Sequence, residues 1–211
     1  MLTVALISQK GGSGKSTLAC AIAVAGEIHG RSTVLIDLDP QGSATNWAAL
    51  RNNEKPVVTA TTADRLRAVL DSARAAGAHL AVVDTPPHST DAVVQVAQDV
   101  ALVLIPCRPA AADLLAIGAS IKMSRQGGTE VAVVLNAAPV GNPLVAQAQD
   151  TIRGYNVSMV PVVLHQRVDH VHAFTVGQSA GEYAPRGKAA RELAQLFAWI
   201  CKGELPFDTT N

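Results

Sequence analysis

The stretch ISQKGGSGKST, Ile7 to Thr17, constrains this chain more than any other. An apolar run with strand character (2–8) leads into it, and a run with helical character (15–29) leaves it. Gly11, Gly12 and Gly14 let the backbone wrap tightly, so that Ser13 and its neighbours can turn successive N–H groups toward one point. A helix opening at Lys15 adds the partial positive charge of its N-terminus. Spacing, the Gly-Lys-Ser ending and the strand–loop–helix setting together describe a phosphate-binding loop. Lys15 is then placed to reach the β- and γ-phosphates of a nucleoside triphosphate, Ser16 to put its hydroxyl on Mg2+, and Thr17 to assist at the α-phosphate. A glycine-rich turn with surface lysines is the plain alternative, and the coincidence of motif and context argues against it. One departure from the common G-x-x-x-x-G-K-[ST] pattern stands out: Gln9 occupies the place of the first glycine, and a second lysine, Lys10, follows it.

The rest of the chain repeats the same alternation. Strand-like runs fall at 2–8, 32–38, 57–60, 79–85, 100–106, 130–136 and 157–164. Helical stretches fall at 15–29, 63–76, 89–98, 111–126, 143–154 and 187–202, with Leu66, Val69, Leu70 and Ala73 setting the spacing in the second. Such alternation implies right-handed crossovers and an α/β fold, a doubly wound, mainly parallel sheet flanked by helices. The 211 residues are read as a single P-loop ATPase domain, 1–211, without repeat or linker. With 48% hydrophobic but only 3% aromatic residues, the core must be Ala, Val, Leu and Ile, which suits strands buried on both faces.

Charge is balanced, 17 basic against 17 acidic side chains, so no overall pull toward nucleic acid or membrane exists, though a local patch can still form. Cys20, Cys107 and Cys201 form no C-x-x-C pair and read as buried thiols of a reducing compartment, hence a cytoplasmic chain. No basic leader precedes MLTVALIS, and no apolar run reaches the length of a membrane span.

Two further strand ends carry acids. DLDPQGSATNW (37–47) holds Asp37 and Asp39, expected to point to opposite faces with one turned toward the nucleotide, where a carboxylate can orient an attacking water or bind Mg2+ through water. LAVVDTPP (80–87) ends in Asp84, which fits an acid holding Mg2+, followed by Thr85 and two prolines as a rigid switch segment. Asp-Pro turns and apolar strands ending in Asp are common, so each signal draws its weight from its order after the loop.

KGGSGKST, DLDPQ and VVDTPP, in this order and spacing, closely resemble the ParA/MinD group of deviant Walker ATPases. LVLIPCRPAAADLLAI (102–117), VLNAAP (134–139) and the closing RVDHVHAFTVGQSAGEYAPRGKAARELAQL extend the resemblance over nearly the whole chain. It implies ATP and Mg2+ as ligands, weak intrinsic ATP hydrolysis and an ATP-dependent sandwich homodimer. By the same resemblance Lys10 is the signature lysine that reaches the partner's ATP, where an added cation helps only once the second subunit docks. Asp39 positions the attacking water and joins Ser16 and Asp84 around the metal, while Asp37 is structural or lies behind the magnesium. Asn136 reads the adenine, and the segment from Pro161 to Val168 forms the rest of its pocket.

The resemblance bears on partners too. The 211 residues read without an N-terminal helix-turn-helix, and GELPFDTTN without a cationic amphipathic pattern, so non-specific DNA rather than operator or membrane is the expected surface. In PRGKAARELAQLFAWICKG (185–203), Ala190, Leu193, Ala194, Phe197, Ile200 and Cys201 form a buried stripe. Arg186, Lys188, Arg191 and Lys202 lie elsewhere as DNA candidates, with Arg167, Lys122 and Arg125 as further ones. An ordinary solvated face with Glu192 as partner weighs evenly against that reading. The histidines of HQRVDHVH (165–172) lack a Cys or acid to complete a zinc set and read as loop or interface residues. The expected function is plasmid or chromosome partition or cargo positioning, with hydrolysis stimulated by a ParB-like or small centromere-binding or adaptor protein. A MinD-like membrane-associated regulator of division and a metabolic enzyme of the dethiobiotin synthetase type are the alternatives.

Overall fold

The central apolar runs become strands because both of their faces are covered. In β4 (Leu80–Asp84) every residue is buried, with Leu80 and Val82 in one core and Ala81 and Val83 in the other. The computed structural model describes residues 1–87 and 90–201. Around β4 stand β1 (Leu2–Leu6), β2 (Thr33–Asp37), β3 (Val57–Ala60), β5 (Leu102–Cys107), β6 (Glu130–Ala138) and β7 (Ser158–His165). The seven strands run in the order β3-β2-β4-β1-β5-β6-β7, and every pairing is parallel.

One face packs α1 (Lys15–Ile28), α2 (Ser43–Ala49), α8 (Ala180–Tyr183) and α9 (Lys188–Ile200), with Phe174 of α7 (Val168–Thr175) against them. The other packs α3 (Leu66–Ala75), α4 (Thr90–Asp99), α5 (Ala111–Gln126) and α6 (Leu144–Arg153). The doubly wound parallel architecture expected from the alternation is therefore present. All three cysteines are buried thiols outside any disulfide.

Three helices were not anticipated: α2, α7 and α8. α8 is closed by a capping box, in which Ser179 Oγ accepts from the Glu182 N–H at 3.3 Å and Glu182 Oε2 accepts from the Ser179 N–H at 2.9 Å. On α9 the buried stripe runs through Ala189, Ala190, Leu193, Leu196, Phe197 and Ile200, and Ala194 is exposed. The 3.6-residue period puts Leu196 beside Leu193 and Phe197 on the inner face and turns Ala194 out of it, which corrects the expected stripe.

β1 lies between β4 and β5, so the chain winds away from it in both directions. The carboxyl ends of the strands at such a switch point leave a crevice for ligands. Leu6, Asp84 and Asp37 are register partners at that edge, Leu6 beside Asp84 and Asp84 beside Asp37. Among the described residues, no helix is long and apolar enough to cross a membrane.

Candidate nucleotide-binding site

The loop between β1 and α1 has the backbone its glycines allow. Gly12 and Gly14 take φ of +74° and +90°, a region that L side chains avoid. Gly14 caps α1 without any side-chain bond, and no acid occupies the first turn, so the N–H groups there point outward unneutralised. Lys15 is buried, and burial pulls its ammonium below the ordinary value, opposed by Asp84 and Asp39. A buried cation among carboxylates at a helix N-terminus is suited to a polyanion.

Asp84 is the most constrained acid of the site. It is 0% exposed, and neither carboxylate oxygen accepts a hydrogen bond among the described residues. Burial pushes its pKa up to about 7; the nearby Ser16 hydroxyl and Lys15 lower it, and Asp37 and Asp39 add repulsion. Two lone carboxylate oxygens beside a serine hydroxyl fit a hard divalent cation or its water shell, which would supply the missing partners. No group of three or more His, Cys, Asp or Glu suited to a metal occurs among the described residues. A cation here would therefore draw most of its ligands from phosphate and water, as Mg2+ commonly does.

Asp37 and Asp39 part company in a way the sequence reading had mistaken. Residues two apart on a strand share a face, so strand geometry cannot send them in opposite directions. β2 instead ends at Asp37. That residue is buried, and its Oδ2 accepts from the Thr45 N–H and hydroxyl at 2.9 Å each, while Oδ1 accepts from the Asp39 N–H at 3.0 Å. Asp37 thus holds the turn into α2. Asp39 lies beyond the strand, half-buried, with Oδ1 accepting from the Gln41 N–H at 2.9 Å, and it is close enough to influence both Lys15 and Asp84. Thr85 is buried and its hydroxyl donates to the Leu6 carbonyl at 2.7 Å, which ties the end of β4 to β1.

Behind the loop opens a cavity of about 380 Å³, with Gly14, Thr17 and Asn136 on one part of its lining and Leu164 to Arg167, His170 and Phe174 on another. Its volume and mixed lining are those of a small-molecule site. Asn136 Nδ2 donates to the Ser13 carbonyl at 2.8 Å, so the amide expected near the base also braces the loop. Pro161 is not brought to this cavity. It is exposed on β7, and the wall is made by the last residues of that strand and the turn after it. Leu18 and Ala21 of α1 and Leu193 of α9 also line it, placements that depend on helix packing and that no local motif marks.

The basic residues separate into two groups. Arg186, Lys188 and Arg191 are exposed, the last only loosely tied to the Arg186 carbonyl at 3.5 Å. Arg167 is not among them: its Nη2 and Nε donate to Glu192 at 2.6 and 3.2 Å, and it lines the cavity, so its charge is committed inward rather than offered to DNA. Lys122 and Arg125 are exposed on α5, where Arg125 donates to the Asn156 carbonyl at 2.6 Å. Lys202 and the closing GELPFDTTN lie outside the described residues. Lys10 is half-buried in the loop, its N–H donating to Ser8 Oγ at 3.3 Å, and its side chain is in no ion pair among the described residues. The acid lining its small cleft, Asp113, is already held by Arg108 at 3.0 and 3.2 Å.

A parallel sheet with a phosphate loop at its switch point and an acid at the neighbouring strand end defines a P-loop nucleotide-binding protein. Residues 4–174 match the family described as the CobQ/CobB/MinD/ParA nucleotide binding domain, and the chain belongs to it as a ParA/MinD-type nucleotide-binding ATPase. It is 33% identical over 194 residues to the maintenance of carboxysome distribution protein A of Gloeobacter kilaueensis, covering 90% of this chain and 87% of that one. Its fold is similar to that of the septum site-determining protein MinD of Pyrococcus horikoshii complexed with Mg-ADP, with a TM-score of 0.78 at 16% identity, covering 95% of this chain and 96% of the other. A Cyanothece McdA variant in complex with ATP superimposes with a TM-score of 0.72 at 14% identity, covering 96% of each chain.

Proposed function

We propose that this chain is an ATP-driven positioning switch: ATP binding pairs two copies, the pair holds non-specific DNA, and hydrolysis stimulated by a partner protein releases it. The observation that carries the reading is Lys10. A phosphate loop already served by the buried Lys15 carries a second lysine that, among the described residues, no acid of its own subunit engages. Such a cation gains most where phosphate charge develops on a second molecule of ATP, which couples hydrolysis to pairing.

The geometry supports the following roles. Amides of the Gly11–Thr17 segment and Lys15 bind the phosphates, and Ser16 and Asp84 are the residues that would hold Mg2+, which neutralises phosphate charge when bound. Asp84, raised toward neutrality while alone, is drawn to its ionised form by a cation. Asp39, next to that pair and held by a local hydrogen bond from the Gln41 N–H, orients the attacking water. The cavity beside Asn136 takes the nucleoside.

As for cargo, the 33% identical relative favours a large protein assembly of the carboxysome kind over a plasmid, with an adaptor protein as the stimulating partner. Co-sedimentation with DNA tests the whole reading. The chain should pellet with DNA in ATP and Mg2+ and stay in the supernatant with ADP, and liposomes of anionic lipid should not retain it. Retention on liposomes but not on DNA would move the chain to the membrane-associated alternative.

A further inference from the structure

One wall of the nucleoside cavity is held by a residue that does not line it. Glu192 lies on α9 with its side chain 13% exposed. Its Oε1 accepts from Arg167 Nη2 at 2.6 Å and Nε at 3.2 Å and meets His165 Nδ1 at 2.9 Å, and its Oε2 accepts from the His165 N–H at 3.0 Å. Burial alone would raise its carboxyl, but the donors from Arg167 and His165 outweigh burial and hold it below the ordinary value, so it serves as an anion. His165 ends β7 and Arg167 caps α7, and both line the cavity. A single carboxylate thus fixes the turn from strand to helix and keeps the Arg167 guanidinium drawn back against the wall.

We propose that Glu192 is a positioning residue for nucleoside recognition. It shapes the wall against which the base and ribose seat, and it acts through Arg167 and His165 rather than by touching the nucleotide. This rests on the reading that the cavity takes the nucleoside of ATP. The phosphate loop joins β1 to α1 and takes part in none of these bonds, so the effect of losing Glu192 belongs to the nucleoside and not to the phosphates.

Calorimetric titration of the full chain with ATP and, separately, with inorganic tripolyphosphate, both with Mg2+, reads that division. Glu192→Gln and Glu192→Ala should weaken ATP about tenfold and leave tripolyphosphate unchanged. Arg167→Ala approaches the same ion pair from the other partner and should give the same selective loss, so misfolding of one variant does not shield the claim. The Glu192→Ala, Arg167→Ala double variant should bind ATP no more weakly than the poorer single one, as expected of one shared interaction. Equal losses for both ligands would mark a general structural defect and overturn the proposal, as would fully additive losses. If the unaltered chain prefers ATP over tripolyphosphate and the variants keep that preference, the role of Glu192 falls alone. If the unaltered chain shows no such preference, the cavity reading falls and this inference with it.

Discussion

At Asp84 the protein holds a fully buried carboxylate whose oxygens accept no hydrogen bond among the described residues, a costly state that the nearby Ser16 hydroxyl and Lys15 offset only in part. Its pKa is raised from the ordinary 3.8 to about 7. A group raised in the folded state contributes its full stability below the unfolded value and loses it as pH rises through the folded one. Asp84→Asn should therefore stabilise the nucleotide-free chain, with an advantage that grows between those two pKa values and reaches roughly 2–4 kcal/mol above the upper one. Thermal melts across that window check this. The same variant should gain far less from Mg2+ and ATP than the unaltered chain does. Asp84 was legible from its place at the end of an apolar strand. The holding role of Asp37 was legible only in part, because Thr45, whose N–H and hydroxyl fix it, lies in a helix the sequence did not announce. Pro161 misled for a related reason: it is exposed on β7, and of that strand only Leu164 and His165 reach the cavity.

Among elements, α1 and α9 hold most of the residues to which the proposed function assigns a role. Gly14 begins α1 at φ +90°, and a Cβ there would run into the Asn136 amide nitrogen. Gly14→Ala should both strain the backbone and break the Asn136 bond to the Ser13 carbonyl, costing about 1–2 kcal/mol of stability and at least about tenfold in ATP affinity. Denaturant melts and equilibrium titration would register the two losses separately. On α9, Lys188 and Arg191 face solvent, with no acid bound to either among the described residues. Replacing both with Ala should weaken ATP-dependent DNA binding for all sequences alike and lower the salt slope by about one unit for each phosphate that is no longer neutralised. An unchanged slope would place the DNA surface elsewhere. The central strands β1, β2, β4 and β5 could be read ahead of the structure because a doubly covered strand is apolar along its length, whereas the partly exposed edge strands β3 and β7 were read from their β-branched runs VVTA and VSMVPVVL. The helices α2, α7 and α8 could not. They are short, and SATNWAA, VDHVHAFT and AGEY are too brief or too polar to show a helical period, so packing rather than pattern makes them helical.

For the whole molecule, the features hardest to read were pairings between distant parts of the chain. Glu192 and His165 are 27 residues apart, and Arg51, which meets Glu182 and stacks over Trp47, draws together segments separated by 131 residues. Local motifs mark the phosphate loop and its acids, whereas the cavity wall at His165 and Arg167 follows from how the last helix docks. The same scale holds the central claim, that Lys10 serves the ATP of a second copy. Mixing two inactive variants tests it most directly. Lys10→Ala subunits in excess keep Asp39, and Asp39→Ala subunits keep Lys10. In a mixed pair the first subunit supplies Asp39 to its own ATP, and the second supplies Lys10 across the interface to that same ATP. Each variant alone should hydrolyse ATP slowly, and the mixture should recover activity in proportion to the mixed pairs formed. Mixed pairs that assemble and yet hydrolyse no faster than either variant alone would place Lys10 in its own subunit and contradict the account.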